Sequence, residues 1–174
     1  MIKEGENFHE MILVSKGEYF RGSDFTDNRF DRSKPIQKVL IEKDFFIGKY
    51  QVTQQLWETV MGSNPSNFKG ARRPVEQVSW LTVVNEFLPR LNELNEDKYT
   101  YFLPTEAQWE YAARGGKNYL KDNCMYAGSN DVLKVAWYEY NSMNSTKPVG
   151  LKVPNQLGIH DMSGNVYELS LIHI

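Results

Sequence analysis

The segment Gly158-Ile-His-Asp-Met-Ser-Gly-Asn-Val-Tyr-Glu168 carries two carboxylates, Asp161 and Glu168, around a Gly-Asn turn shortly before the chain ends. A loop of this kind can offer a hard cation both carboxylates and the main-chain carbonyls of Gly164 and Val166. Calcium takes about six to eight oxygens in flexible geometry, so water would complete the shell. The alternative is that Asp161 caps a turn while Glu168 pairs with a cation or faces solvent. The segment therefore predicts a structural calcium site.

The composition bounds the fold and excludes several functions. At 174 residues and 41% hydrophobic content, the chain is long enough for one sizeable core but short for two domains. Its 20 Lys and Arg nearly balance 22 Asp and Glu, for a net charge of -2, which argues against nucleic-acid binding through phosphates. No apolar run could span a bilayer, and the N-terminus lacks the apolar segment of a signal peptide. We therefore expect no membrane partner and a cytoplasmic location.

Local sequence signals predict short strands near the N-terminus. Met11–Val14 and Tyr19–Arg21 have the pattern of strands joined in a hairpin at Lys16-Gly17. Val39–Tyr50 alternates imperfectly between apolar and polar residues, which predicts one strand with a bend. Lys134–Tyr138 is a further strand candidate in the irregular second half.

Three helices are predicted from side chains that can cap a first turn. They begin at Thr53, Ser79 and Thr105. Pro89 should kink or loosen the middle of the second helix. Several helices followed by long loops with short strands indicate an α+β fold rather than a βαβ alternation.

Five segments, taken together, resemble the formylglycine-generating enzyme family, also called the sulfatase-modifying factor domain. They are Met11-Ile-Leu-Val-Ser-Lys-Gly-Glu-Tyr-Phe-Arg-Gly-Ser23, Phe46-Ile-Gly-Lys-Tyr-Gln-Val-Thr53, Pro74-Val-Glu-Gln-Val-Ser-Trp80, Leu103-Pro-Thr-Glu-Ala-Gln-Trp-Glu-Tyr-Ala-Ala-Arg-Gly-Gly116, and Pro148-Val-Gly150 followed by the loop that ends at Glu168. Their order and spacing carry the resemblance. It implies a partial domain over residues 11–169, with a compact α+β fold that is poor in regular secondary structure and related to C-type lectins.

The resemblance also implies site residues and cofactors. In the family, calcium can be bound at the positions of Asp161, Gly164, Val166 and Glu168. The best-characterised members oxidise a cysteine in sulfatases to formylglycine, with molecular oxygen and copper(I) that two cysteines hold beyond the Gly-Asn-Val-Tyr-Glu segment. A protein or peptide is therefore the expected substrate or partner.

The cysteine content argues against that oxidation in this chain. The single cysteine, Cys124, lies in a different segment, and soft copper(I) needs thiolates that carboxylates cannot replace. We therefore predict no catalytic residue and no oxidase activity for this polypeptide, and we interpret Cys124 as a structural thiol.

The resemblance ends at Glu168, which predicts a domain that is incomplete at its C-terminus. Residues 170–174 are expected to be a non-native tail, and residues 1–10 a loose N-terminal segment. A domain without its last strands leaves apolar faces and strand edges uncovered, so we expect poor solubility or dimerisation. Two functions stay open: an oxidoreductase of the formylglycine-generating type when intact, or a non-catalytic C-type-lectin-like binding or display domain.

Overall fold

Four short strands form an antiparallel ribbon that is interrupted near its middle. The computed structural model describes residues 10–22, 35–95, 99–118 and 124–171, and its strands are β1 (Met11–Val14), β2 (Gly17–Arg21), β3 (Gln37–Ile41) and β4 (Phe45–Gly48). Strand β1 pairs with β4, and β2 pairs with β3. At the interruption the Lys16 NH donates to Asp44 Oδ1 (2.8 Å), which holds the two halves together.

The predicted hairpin at Lys16-Gly17 is wrong. Strands β1 and β2 follow one another along the same side of the ribbon, and each pairs with a later strand. A two-residue hairpin loop requires positive φ, whereas Gly17 lies within β2 and is not among the residues with positive φ. Glycine is needed there for another reason, because a Cβ atom would collide with the Tyr111 hydroxyl. The single bent strand predicted over Val39–Tyr50 is instead two strands, β3 and β4, which pair with different partners.

Helix α1 (Gln54–Met61) begins as the sequence predicts. The Thr53 hydroxyl accepts a hydrogen bond from the Leu56 NH, and Gly62 (φ 74°) ends the helix in the left-handed region. Its apolar stripe packs on the next helical segment, where the rings of Trp57 and Phe87 stack with centroids 4.7 Å apart. This contact lies in one of two apolar cores in the described chain, here called the second core, which is formed by residues of these two helical segments.

The next helical segment has three parts, α2 (Trp80–Thr82), a π-helical turn (Val83–Phe87) and α3 (Leu88–Leu94). Ser79 caps its start as predicted. The π turn ends two residues before Pro89, which has no NH to donate and whose ring would crowd a regular α turn. The irregularity predicted at Pro89 is thus confirmed.

Helix α4 (Glu106–Ala113) begins with the predicted capping box, formed reciprocally by Thr105 and Gln108. It packs against the ribbon in the first core, where Tyr19 and Tyr111 are almost completely buried. After α4 come a 3-10 turn (Gly116–Asn118) and the short helix α5 (Val132–Val135).

The strand predicted at Lys134–Tyr138 is wrong: its first two residues lie in a helix, and residues 136–138 form no strand. The Asp131 side chain accepts a hydrogen bond from the Leu133 NH and so starts α5, and the chain becomes extended only at Ala136. The mixed architecture with little regular secondary structure is confirmed. In the described ranges no helix is long and apolar enough to cross a membrane.

The predicted terminal segments fall mostly outside the described residues, namely residues 1–9 of the N-terminal segment and residues 172–174 of the tail. Of the tail, Ser170 and Leu171 are described. The Leu171 NH donates to Pro104 O (2.8 Å), and the Ser170 carbonyl accepts from the Trp80 indole (3.2 Å).

Candidate functional site

The predicted loop, residues 158–168, is attached to the end of helix α4 by the residues that come just before it. Asn155 is the main attachment: its amide donates to Ala112 O (2.8 Å) and Ala113 O (3.3 Å) at the end of α4. Its side-chain oxygen accepts from the Leu157 and Ile159 NH groups. Because every hydrogen bond here is buried or half-buried, the loop enters the site with a fixed direction.

Asp161 is buried, with 3% of its surface exposed, and has a positive φ of 62°. Its Oδ2 accepts a hydrogen bond from the Gly150 NH (2.8 Å), whereas its buried Oδ1 has no hydrogen-bond partner within the described part of the chain. Burial raises the pKa of this carboxyl, and the Gly150 hydrogen bond partly opposes the rise. An unpartnered oxygen on a buried acid is costly, and a cation would offset the cost.

Glu168 is exposed as a residue, but its carboxylate is held between two donors. Its Oε1 lies 2.8 Å from Gln51 Nε2, and its Oε2 lies 2.8 Å from the Trp109 indole nitrogen. The surrounding protein atoms remove water from the carboxylate, which raises its pKa, and both hydrogen bonds oppose this rise.

Gln51 is the residue that sequence reasoning missed. It is separated from Glu168 by 117 positions, and no spacing pattern connects the two. Its Nε2 lies 2.8 Å from Glu168 Oε1, 3.1 Å from Gly164 O and 3.3 Å from Asp161 O. Its own Oε1 is buried, and no described residue donates a hydrogen bond to it. Three oxygens therefore converge on one amide nitrogen.

The structure brings together three of the four predicted calcium ligands. Gly164 takes part through its carbonyl and Glu168 through its carboxylate, but Asp161 takes part through its main-chain carbonyl and not through the predicted carboxylate, whose Oδ2 accepts from the Gly150 NH. Val166 is next to them, with its NH donating to Gly164 O (2.9 Å). Asp161 Oδ1 and Gln51 Oε1 are two further buried oxygens without a hydrogen-bond partner among the described residues. Among the described residues no three His, Cys, Asp or Glu side chains cluster as metal ligands, so carbonyl oxygens would have to contribute.

An apolar cavity of about 700 Å³ opens beside this loop. We call it the aromatic groove and define it by the edge of β4 and by Phe46, Tyr99, Phe102 and Tyr167, whose side chains are largely exposed. It extends inward to Trp57 and Phe87 of the second core, and Glu168 forms part of its wall.

Strand β4 presents an open edge to the aromatic groove. Residues 44–48 all line the cavity, although neighbouring side chains of a strand point in opposite directions. Such an unbroken run means that the backbone edge faces the cavity. In the part of the chain that is described, β4 pairs only with β1. The opposite edge is therefore available to an incoming strand.

The charged lining of the aromatic groove is acidic. Glu10, Asp44 and Glu168 contribute to it, and none of the described lining residues is Lys or Arg. Cys124 lies elsewhere, in a shallow depression with Gly128 and Asn155. His160 stacks on Tyr50 with ring centroids 5.1 Å apart, which gives that imidazole a packing role.

Comparisons with curated proteins find both a chaperone and enzymes. The chain is 35% identical over 206 residues to the chaperone protein LppX of Paenibacillus barcinonensis, covering 91% of this chain and 70% of that protein. It is 26% identical over 187 residues to the serine/threonine-protein kinase pkn1 of Chlamydia pneumoniae, covering 91% of this chain and 27% of the kinase. It is 28% identical over 126 residues to the formylglycine-generating enzyme of Thermomonospora curvata, covering 64% and 37% respectively. The chain thus spans well under half of the latter two proteins.

Among solved structures, Treponema denticola variable protein 1 superposes with a TM-score of 0.76 at 28% sequence identity, over 92% of this chain and 71% of the other. The fold predicted from the five segments is therefore confirmed. The family model for the sulfatase-modifying factor enzyme 1-like domain matches residues 2–171. On this match and on the similarity to LppX, the chain belongs to the sulfatase-modifying factor enzyme 1-like domain family.

Proposed function

We propose that this chain is a non-catalytic polypeptide-binding domain, in which an extended, apolar and basic segment of a partner protein adds to the edge of β4 and fills the aromatic groove. The observation that carries the proposal is the open β4 edge above a cavity walled by exposed aromatic side chains. Main-chain pairing would supply affinity, and the pockets between the aromatic rings would select alternate side chains. Asp44 and Glu168 in the lining favour Lys or Arg in the bound segment, whereas Glu10 is already paired with Lys49 (2.8 Å).

The relatives support a polypeptide as the partner. LppX is named a chaperone protein, and members of the formylglycine-generating type act on a cysteine within another protein. Both kinds of relative therefore point to another protein as the partner.

Copper-dependent oxidation is the alternative, favoured by the similarity to the formylglycine-generating enzyme of Thermomonospora curvata. Copper(I) needs two thiolates in that chemistry, and this chain contains Cys124 alone. Titration against a chromophoric copper(I) chelator checks the point. We expect the chelator to retain the metal, and tight capture of copper(I) by the chain would favour the oxidase.

We further propose that calcium binds the loop through Asp161, Gly164, Val166 and Glu168. The support is the pair of unpartnered buried oxygens and the convergence of carbonyl and carboxylate groups. When bound, the ion would crosslink the loop and stabilise one wall of the aromatic groove.

Fluorescence anisotropy with labelled peptides tests the binding proposal. A peptide of alternating Val and Lys should bind saturably, whereas one of alternating Ser and Lys should not. The variant Tyr99→Ser should weaken binding by about tenfold, as expected for an anchoring aromatic side chain. Tyr140→Ser is the matched control, because Tyr140 is 87% exposed and lies outside the groove lining.

Three results would contradict the proposal. Equal binding of both peptides would mean that charge alone causes the interaction. Equal losses of affinity in Tyr99→Ser and Tyr140→Ser would mean that the peptide does not bind in the aromatic groove. Self-association of the chain that Tyr99→Ser abolishes, without peptide binding, would assign the groove to a second copy.

A further inference from the structure

We propose that Gln51 is an internal substitute for the loop cation: its amide nitrogen occupies the position that calcium would take, so the amide and the ion bind the loop in alternation. This inference rests on the calcium site proposed above and adds a residue on the β4–α1 connection, which contributes no predicted ligand.

The Gln51 amide nitrogen lies where the ion would bind. The Nε2 atom lies within 3.3 Å of Asp161 O, Gly164 O and Glu168 Oε1 at once. Calcium bonds to oxygen at about 2.3–2.6 Å, so an ion bound to the same three atoms would lie close to this nitrogen. The NH₂ protons would repel the ion. The nitrogen must therefore leave before calcium can enter.

The hydrogen-bond donors and acceptors of the Gln51 amide do not match their surroundings. A glutamine NH₂ group has two donors, but three acceptors surround Nε2, and the Oε1 atom has none. Turning the amide over would place Oε1 among three oxygens. That arrangement is repulsive in an empty loop and favourable next to a cation. The ion would thus convert Gln51 from a donor into an oxygen ligand.

The backbone position of Gln51 is fixed. It is 9% exposed, and two residues later Thr53 caps α1. Its backbone therefore cannot withdraw, and the alternation has to take place by rotation of the side chain. The loop is held in both states, by the amide without the ion and by the ion with it.

Two substitutions at this position separate the roles. Gln51→Glu removes the donor and adds a negative ligand, which should weaken the ion-free fold and tighten calcium binding by at least about tenfold, since ligand charge sets affinity in such loops. Gln51→Met keeps the length of the side chain but removes both the donor and the oxygen. It should lower the ion-free melting temperature and enlarge the stabilisation by calcium. Gln55→Glu, with the same charge change in the first turn of α1, is the matched control.

The experiment titrates calcium and terbium into each variant. Terbium replaces calcium in oxygen sites and is excited by a nearby tryptophan, and the Trp109 indole is hydrogen-bonded to Glu168. We expect a sensitised signal that calcium displaces, with the tightest binding in Gln51→Glu. Melting temperatures in EDTA and in calcium give a second readout. Gln55→Glu should behave as the unsubstituted chain does.

The outcomes separate the two proposals. If no variant shows terbium emission or a calcium-dependent melting temperature, the ion site itself is wrong, and the substitution by Gln51 falls with it. If the unsubstituted chain binds calcium and both Gln51 variants bind it with unchanged affinity, the ion site stands but Gln51 does not compete for it. If Gln51→Met loses calcium binding while Gln51→Glu keeps it, the Gln51 oxygen is an obligatory ligand, which also overturns the substitution.

Discussion

The substitution Asp161→Asn separates the role of the loop in folding from its role in cation binding. Asparagine has nearly the same shape, can still accept the hydrogen bond that Asp161 Oδ2 receives from the Gly150 NH, and tolerates the observed φ of 62° better than most residues. Only the negative charge is removed. Because burial raises the pKa of Asp161, the folded-state pKa lies above the unfolded one. The ionised carboxylate therefore costs stability at neutral pH.

The expected magnitudes follow from this chemistry. Without calcium, Asp161→Asn should leave the melting temperature unchanged or raise it, since a buried charge with an unpartnered oxygen is gone. With an ion affinity of about 100 µM, calcium at about 10 mM would stabilise the unsubstituted chain by about 2.7 kcal/mol. For a chain of this length that corresponds to about 5–10 °C in melting temperature. The asparagine variant should lose most of this increment.

The assay is thermal unfolding followed by circular dichroism, in EDTA and in calcium, for both chains. Asp131→Asn is a suitable control, because Asp131 caps α5 and lies outside the loop. The reasoning is refuted if Asp161→Asn keeps the full calcium increment. It is also refuted if the variant unfolds far more easily in EDTA, since the charge itself would then be required for the fold.

Two further predictions concern the packing that positions the site. Asn155→Ala should lower the free energy of unfolding by about 3 kcal/mol, because it leaves buried donors and acceptors of the loop and of α4 without partners. Asn67→Ala, on the surface, is the control and should have little effect. Equal effects of the two substitutions in chemical denaturation would contradict the anchoring role of Asn155. Gly17→Ala should destabilise the chain by about 1–3 kcal/mol through overpacking against the Tyr111 hydroxyl. Adding Tyr111→Phe should recover part of that loss, and a double-mutant cycle with no coupling would show that the two groups do not collide.

Local signals were sufficient for the helix starts. The capping residues Thr53, Ser79 and Thr105 act within one turn of the chain, so a few neighbouring residues determine each start. The π turn before Pro89 follows in the same way from the chemistry of one residue.

Strand partners and the centre of the site could not be predicted in that way. The partner of β1 is β4 rather than β2, and the paired residues, from Met11 with Gly48 to Val14 with Phe45, are too far apart for any short window of sequence to contain both. Likewise, the spacing within residues 158–168 indicated the loop oxygens, but the amide that reaches them comes from Gln51, more than a hundred positions earlier. A polar residue that is largely buried shortly after a strand is the only local sign, and burial is known only from the fold.

The location of a bound polypeptide tests the central claim most directly. A photoreactive benzoylphenylalanine can replace Tyr99, which is aromatic and 65% exposed in the groove, or Tyr140, which is exposed outside it. After irradiation with the alternating Val and Lys peptide, mass spectrometry of the crosslinked product should show covalent attachment from position 99 and none from position 140. Attachment from position 140 alone, or equal attachment from both, would contradict a polypeptide-binding groove at the edge of β4.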